Sequence, residues 1–197
     1  MQTSFELPIL RRIDHKDLEA INAAVKDGFD FIGTLHSYEL KIPEPRRDIH
    51  IRRGGNEHLN GVVRVGLSEL RYSRFYIDPK IPFEVAQNVY EERIRRAFDT
   101  STVFVTIHDP ESVIRFCSLL EDEIELIAVA SNYQGQGVGR RLVERCVDEC
   151  RERGLQTLRI KTQGSNRCAR NFYERLGFRR TDIEKDFHKH EDFIDGT

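Results

Sequence analysis

The spacing of apolar residues switches repeatedly between two periods along this chain. In DHKDLEAINAAVKDG, Leu18, Ile21, Ala24 and Val25 recur at helical spacing, with Gly28 as the C-terminal stop. The run FDFIGTLHSYELKI (29–42) is aromatic and β-branched and alternates through Tyr38, Leu40 and Ile42, which predicts a strand. PEPRRDIHIRRGGNE breaks both periods with two prolines, two glycines and four arginines, and reads as a loop or hairpin connection. Between 60 and 80 the periodicity is mixed and assigns no element. IPFEVAQNVYEERIRRAF then sets Phe83, Ala86, Tyr90, Ile94, Ala97 and Phe98 on one face of a helix begun by Pro82.

STVFVTI, SVIRFCSLL and EIELIAVA follow as three strands, turned by HDPES and EDE, in an expected antiparallel meander. EIELIAVA leads through SNYQGQG into the helix VGRRLVERCVDECRER, with Val138, Leu142, Cys146, Val147 and Cys150 in one stripe and Gly154 at its end. LQTLRIKT is a strand, NRCARNFYERLG a short helix closed by Gly177, and FRRTDIEKDFHKH a final extended run. A strand–helix–strand unit requires a parallel pair with a crossover, so the sheet is expected to be mixed. The fold class is therefore α/β (mixed α+β), in one domain over residues 1–197.

Composition narrows the function classes. Hydrophobic residues make up 39% and charged residues 32%, an ordinary water-soluble balance. A net charge of −2 provides no field to recruit nucleic acid. No apolar window is long enough for a membrane span, and MQTSFELPILRR lacks the pattern of a secretion signal, so a cytoplasmic protein with reduced thiols is expected. Cys146 and Cys150 share a helix face and are expected to pack as small apolar residues, and no CxxC pair is present.

The stretch YQGQGVGRR (133–141) places three glycines between a strand and a helix. Free backbone N–H groups and the positive end of the helix dipole gather there, and glycine leaves room for a ligand to approach the main chain. Two readings follow: a plain strand-to-helix turn, or an anion cradle for a pyrophosphate, with Arg140 and Arg141 adding charge. No Lys-Ser or Lys-Thr follows, so a Walker loop is excluded, and a dinucleotide fold would not place its glycine turn after a meander.

LIAVASNYQGQGVGRRLV resembles the acetyl-CoA signature of the GCN5-related N-acetyltransferases (GNAT family), through Gln134, Gly135, Gln136, Gly137, Val138 and Gly139. NRCARNFYERLGF is similar to the second half of that signature, with matches at Asn166, Ala169, Tyr173, Glu174, Gly177 and Phe178. The resemblance is strongest over residues 123–190. It implies a mixed sheet whose two central parallel strands splay like a V, with residues 1–100 on the acceptor side and 101–197 binding acetyl-CoA. It further implies a pantetheine arm against the backbone near Ile127 and Val129, and a pyrophosphate on the amides from Gln134 to Arg140. Asn166 would hold the arm from the same helix face as Tyr173, and Tyr173 would be the acid beside the sulfur, or else a core aromatic. The amine would attack the thioester directly.

RYSRFYIDPKIPFEVAQNVYEERI, KTQGSNRCARNFYERLGF and DFHKH resemble, more narrowly, the TDP-fucosamine acetyltransferase branch, which acts on nucleotide-linked amino sugars. The chain departs from it at His190, where a tryptophan is usual, and at Glu92. A diphosphate-bearing acceptor calls for a cationic groove, for which Arg46, Arg47, Arg52, Arg53, Arg64, Arg71 and Arg74 are available, Arg74 foremost. His188 is a candidate proton acceptor or a half-buried strand histidine, and Glu123 and Glu125 are candidate bases or solvated carboxylates. His188 and His190 alternate onto one strand face without a third partner, so no metal site is expected. Two rival functions stay open: acetylation of a protein or small-molecule amine, and non-catalytic acyl-CoA sensing. A homodimer is compatible with such folds.

Overall fold

A computed structural model describes residues 6–42, 51–107 and 113–190. The predicted HDPES turn, Arg46 and Arg47 lie outside the described residues. Among the described residues one sheet of eight strands organises the fold: β1 (Ile9–Asp14), β2 (Asp30–Lys41), β3 (Arg52–Arg53), β4 (Thr102–Ile107), β5 (Val113–Leu120), β6 (Glu123–Val129), β7 (Thr157–Gln163) and β8 (Arg179–Lys189). Their order across the sheet is β1-β8-β2-β7-β6-β5-β4-β3. Strands β4, β5 and β6 form the expected antiparallel meander, and β6 and β7 form the parallel pair. The last strand does not lie at an edge. It inserts between β1 and β2, antiparallel to both.

Among the described residues six α-helices cover the sheet: α1 (Leu18–Lys26), α2 (Leu59–Glu69), α3 (Arg74–Ile77), α4 (Phe83–Thr100), α5 (Val138–Glu152) and α6 (Arg167–Arg175). Alternation along β4 sorts the core into two layers, because successive side chains of a strand point to opposite faces. Phe104 joins Leu142, Cys146 and Cys150 under α5, whereas Val103 and Val105 join Val62, Ala86 and Ile94 under α2 and α4. Cys146 and Cys150 are fully buried there, as small apolar residues should be.

The structure departs from the periodicity at three places. Most of residues 60 to 80 is helical, in α2 and α3, and Gly61 and Gly66, of weak helix propensity, sit where α2 meets its neighbours. A Cβ on Gly66 would stand 2.3 Å from Ile94 Cδ1, and one on Gly61 2.6 Å from Val113 Cγ2, so close packing compensates for weak propensity. Leu18 and Val25 of α1 are exposed, because that short helix buries only Ala24 fully, against the small cluster with Ile13, Phe29 and Phe187. Strand β1 carries one buried residue, Ile13, too little to mark it in the sequence.

Parallel pairing between β6 and β7 is confined to Glu123 opposite Arg159 and Ile124 opposite Ile160. Beyond that point the strands diverge, which is the V expected from the resemblance. A bulge accompanies the opening: Ser118 pairs with Leu126 but Leu119 with Ile124, leaving Glu125 without a partner on β5. The extra residue resets the alternation. Ile124 therefore packs into the α5 layer, while Leu126 and Ala128 pack into the α2–α4 layer.

Candidate functional site

The opening between β6 and β7 leads into a cavity of about 320 Å³. Glu123, Glu125 and Ile127 line it from β6, and Lys161, Thr162 and Gln163 from β7. Helix α6 contributes Tyr173 and its capping residue Asn166, while Ser73 and Arg74 approach from α3 and Arg93 from α4. The sequence candidates Glu125, Ile127, Asn166, Tyr173 and Arg74 thus converge on one space.

Tyr173 is buried among the rings of Phe172, Phe178 and Tyr38, with centroids 5.3, 5.7 and 6.1 Å away. Burial pushes its phenol well above the usual tyrosine range, so the group holds its proton at neutral pH. Asn166 also has a local structural task. It is the N-cap of α6, its Oδ1 accepts the Ala169 amide at 3.1 Å, and it lines the same cavity as Tyr173. Glu125 Oε2 accepts a hydrogen bond from Ser101 Oγ at 2.6 Å, which fixes the carboxylate at the bulge.

Cationic groups gather at the α3–α4 side. Arg12 donates from Nε to Asp186 Oδ1 at 2.7 Å, and Gln163 donates to the other oxygen at 3.1 Å, so the fully buried carboxylate braces β1 against β7. Arg74 lies with its guanidinium carbon 4.3 Å from the Phe75 ring centroid. Burial and the neighbouring Arg12 lower its pKa from the ordinary arginine value, yet it stays cationic. Its Nε is buried without a hydrogen-bond partner, an unmet donor at the cavity wall. Arg12, Arg93, Lys161 and Glu69 escape the sequence reading because they come from four separate elements and carry no local motif.

The glycine loop lies outside the cavity lining, beyond the C-terminal end of β6. Gly135 and Gly137 both adopt φ of +75°, with nothing within 4 Å of where a Cβ would stand. These glycines answer to backbone conformation rather than to crowding. Gly139 is different: a Cβ there would meet Phe172 Cζ at 3.2 Å, so it permits the close approach of α5 and α6. No side chain caps α5 at Gly137, which leaves the amides of its first turn as donors for an external anion. Gln134 steadies the loop by donating to Glu69 Oε2 at 3.0 Å and to the Val129 carbonyl at 2.9 Å. Glu69 also accepts from the Ser131 amide and hydroxyl. Arg115 crosses below, donating to the Val138 carbonyl at 3.1 Å. Bare amides, open space and a strand edge free of its parallel partner together fit an extended, pyrophosphate-bearing ligand.

His188 is not brought to the cavity. It is a buried residue of β8, and its Nδ1 lies 2.7 Å from Asp78 Oδ2. Burial lowers its pKa, partly offset by Asp78. The expectation that His188 and His190 lack a third partner is also overturned, since His190 Nε2 stands 2.8 Å from the same Asp78 oxygen. Asp78 sits far away in sequence, at the end of α3, where no strand pattern could reveal it. No helix among the described residues is long and apolar enough to cross a membrane.

Comparison with known proteins agrees with this geometry. Over 62 residues the chain is 42% identical to the [ribosomal protein bS18]-alanine N-acetyltransferase of Escherichia coli K12, covering 32% of this chain and 42% of that protein. Over 59 residues it is 38% identical to N-alpha-acetyltransferase 30 of Schizosaccharomyces pombe, covering 30% of this chain and 39% of the relative. The chain thus spans less than half the length of these two relatives. A GCN5-related N-acetyltransferase from Sphaerobacter thermophilus shares the fold, with TM-score 0.58 and 14% identity over 93% of this chain and 60% of that one. The sequence profile of the Acetyltransferase (GNAT) family matches residues 70–178. That span takes in α3, α4, the meander, the glycine loop, α5, β7 and α6, and on it the chain belongs to the GNAT acetyltransferase family.

Proposed function

We propose that this protein transfers an acetyl group from acetyl-CoA directly to a primary amine, and that the amine belongs to a nucleotide-linked amino sugar. The observation that carries the reading is the meeting, in one cavity at the open end of β6 and β7, of a protonated Tyr173 with Arg12, Arg74 and Arg93.

The donor supplies an activated thioester carbonyl; the chain's residues do the rest. Amides of the loop from Gln134 to Arg140 would hold the pyrophosphate, and the edge of β6 released from β7 at Ile127 and Val129 would offer backbone groups to the pantetheine arm, with Gln134 already on the Val129 carbonyl. Tyr173 keeps a proton ready for the departing thiolate. Glu125, set by the bulge and by Ser101, takes the proton that the amine gives up, directly or through a water. Arg74, with its unmet Nε donor, pairs with the acceptor's phosphate oxygens, and Arg93 adds charge beside it.

A second reading has its own support. The relatives named above act on a ribosomal protein and, by name, on α-amines, which favours a protein N-terminus as acceptor. Glu69, Glu123 and Glu125 supply carboxylates for such an amine. Thiol release from acetyl-CoA, followed against TDP- and UDP-linked amino sugars and against N-terminal peptides, decides between the two. Turnover restricted to peptides would sink the sugar assignment, and turnover on neither would return the chain to the sensor reading.

A further inference from the structure

We propose that Asp78, His188 and His190 form a zinc site that ties the end of α3 to the end of β8. The proposal is independent of acetyl transfer, because none of the three residues lines the cavity.

Three potential ligand atoms, His188 Nδ1, His190 Nε2 and Asp78 Oδ2, lie within 4.8 Å of one another. The two imidazoles reach the carboxylate by different ring nitrogens and cross at 73°, so they approach one point from separate directions rather than stacking. The strand explains the pairing. His188 and His190 are two residues apart on β8 and its end, so they share a face, while Phe187 points to the other side into the small cluster with Ile13 and Phe29.

The donor set suits zinc. Two imidazoles and one carboxylate supply the nitrogen and oxygen donors zinc accepts, and such three-residue sites are completed by water. Zinc bonds of about 2.0–2.1 Å in a tetrahedron hold donor atoms about 3.3 Å apart. The present 2.7 and 2.8 Å separations are those of hydrogen bonds, so each nitrogen need retreat only about half an ångström, within side-chain torsion. Each imidazole then presents a lone pair in place of its N–H, moving the proton to the other ring nitrogen.

Outer contacts are in place. Asp78 Oδ1 accepts the Lys80 amide at 2.9 Å, which orients Oδ2 towards the histidines. His188 packs against the Phe75 ring at 6.3 Å. Asp78 and His188 are almost fully buried and His190 is partly exposed, so the open coordination position and the entry path lie on the His190 side.

The test uses the full, untagged chain, stripped with a chelator and then dialysed against zinc. The expected result is one zinc per chain by elemental analysis and a melting temperature higher by about 5–10 °C at a hundredfold excess over Kd. Cobalt(II) should give visible ligand-field absorption without a thiolate charge-transfer band, which separates this site from the cysteines. His190→Ala, at the exposed rim, should weaken zinc binding by at least about tenfold. His190→Gln serves as the second variant, with circular dichroism confirming that each chain is folded. No zinc retained, a thiolate band with cobalt, or unchanged affinity in both variants would overturn the site.

Discussion

Asp122 and Arg159 pin the closed end of the V. The Arg159 guanidinium donates to both carboxylate oxygens of Asp122, at 2.8 and 2.6 Å, and the Arg159 amide donates to the Asp122 carbonyl at 2.7 Å. Asp122 directly precedes β6, and Arg159 stands opposite Glu123, one of the two points where β6 and β7 still pair. The strands part immediately beyond. A bidentate pair at the vertex fixes where the divergence starts, and so where the cavity begins.

That pin gives a pH-dependent stability. The Arg159 hydrogen bonds hold the Asp122 carboxyl below the usual carboxylate range. With the folded pKa depressed, the stabilisation is fully present above the unfolded value of about 3.9 and is lost as pH falls through the folded pKa. Arg159 is half exposed, so screening limits the effect to about 0.5–1 kcal/mol. Urea unfolding of Asp122→Asn should show that deficit at pH 7 and none once the pH is well below 3.9; a deficit that persists in acid would assign the loss to packing instead.

Tyr173→Phe removes only the phenol oxygen from a packed ring. Turnover should fall by about a hundredfold or more, the scale of a lost general acid, while acetyl-CoA Kd moves less than about threefold. Single-turnover rates with calorimetric binding separate the two. Equal loss of rate and affinity would make Tyr173 a contact residue rather than the acid.

Gly137→Ala forces a left-handed conformation on a residue with a Cβ, at a cost of about 1–2 kcal/mol. The cradle should open or tilt, raising CoA Kd by about tenfold. Gly139→Ala instead presses on Phe172, so it should lower the melting temperature as well. Calorimetry with CoA and a thermal melt on both variants tell conformation from crowding.

Arg74→Gln shortens the cationic side chain and removes its charge from the α3 side of the cavity. Acceptor KM should rise by about tenfold or more for phosphate-bearing amines and little for neutral ones, with acetyl-CoA Kd unchanged. Steady-state kinetics on a matched pair of acceptors, with and without phosphate, is the measurement. A uniform rise for both would remove the anion-recognition role.

Local chemistry was enough to place the glycine loop and the elements that flank it. Glycines at 135 and 137, the strand before them and the apolar stripe of α5 are contiguous in sequence, and each reports on its own neighbourhood: a positive φ, a pleat, a buried face. The meander and the parallel crossover follow from order alone, because a strand–helix–strand unit closes in few ways. What the tertiary structure decided is everything built from distant segments. The insertion of β8 between β1 and β2 depends on pairings that no single segment encodes. Gly61 and Gly66 have weak helix propensity, and only the fold brings Ile94 of α4 and Val113 of β5 to pack against them. The bulge at Glu125 is a mismatch between two strands, so neither strand predicts it. The capping bond from the Ala169 amide to Asn166 depends on where the helix starts, which the family resemblance at Asn166 did not reveal. His188 and His190 looked alone because their partner, Asp78, is joined to them only through space, where long-range packing and not periodicity sets the neighbours.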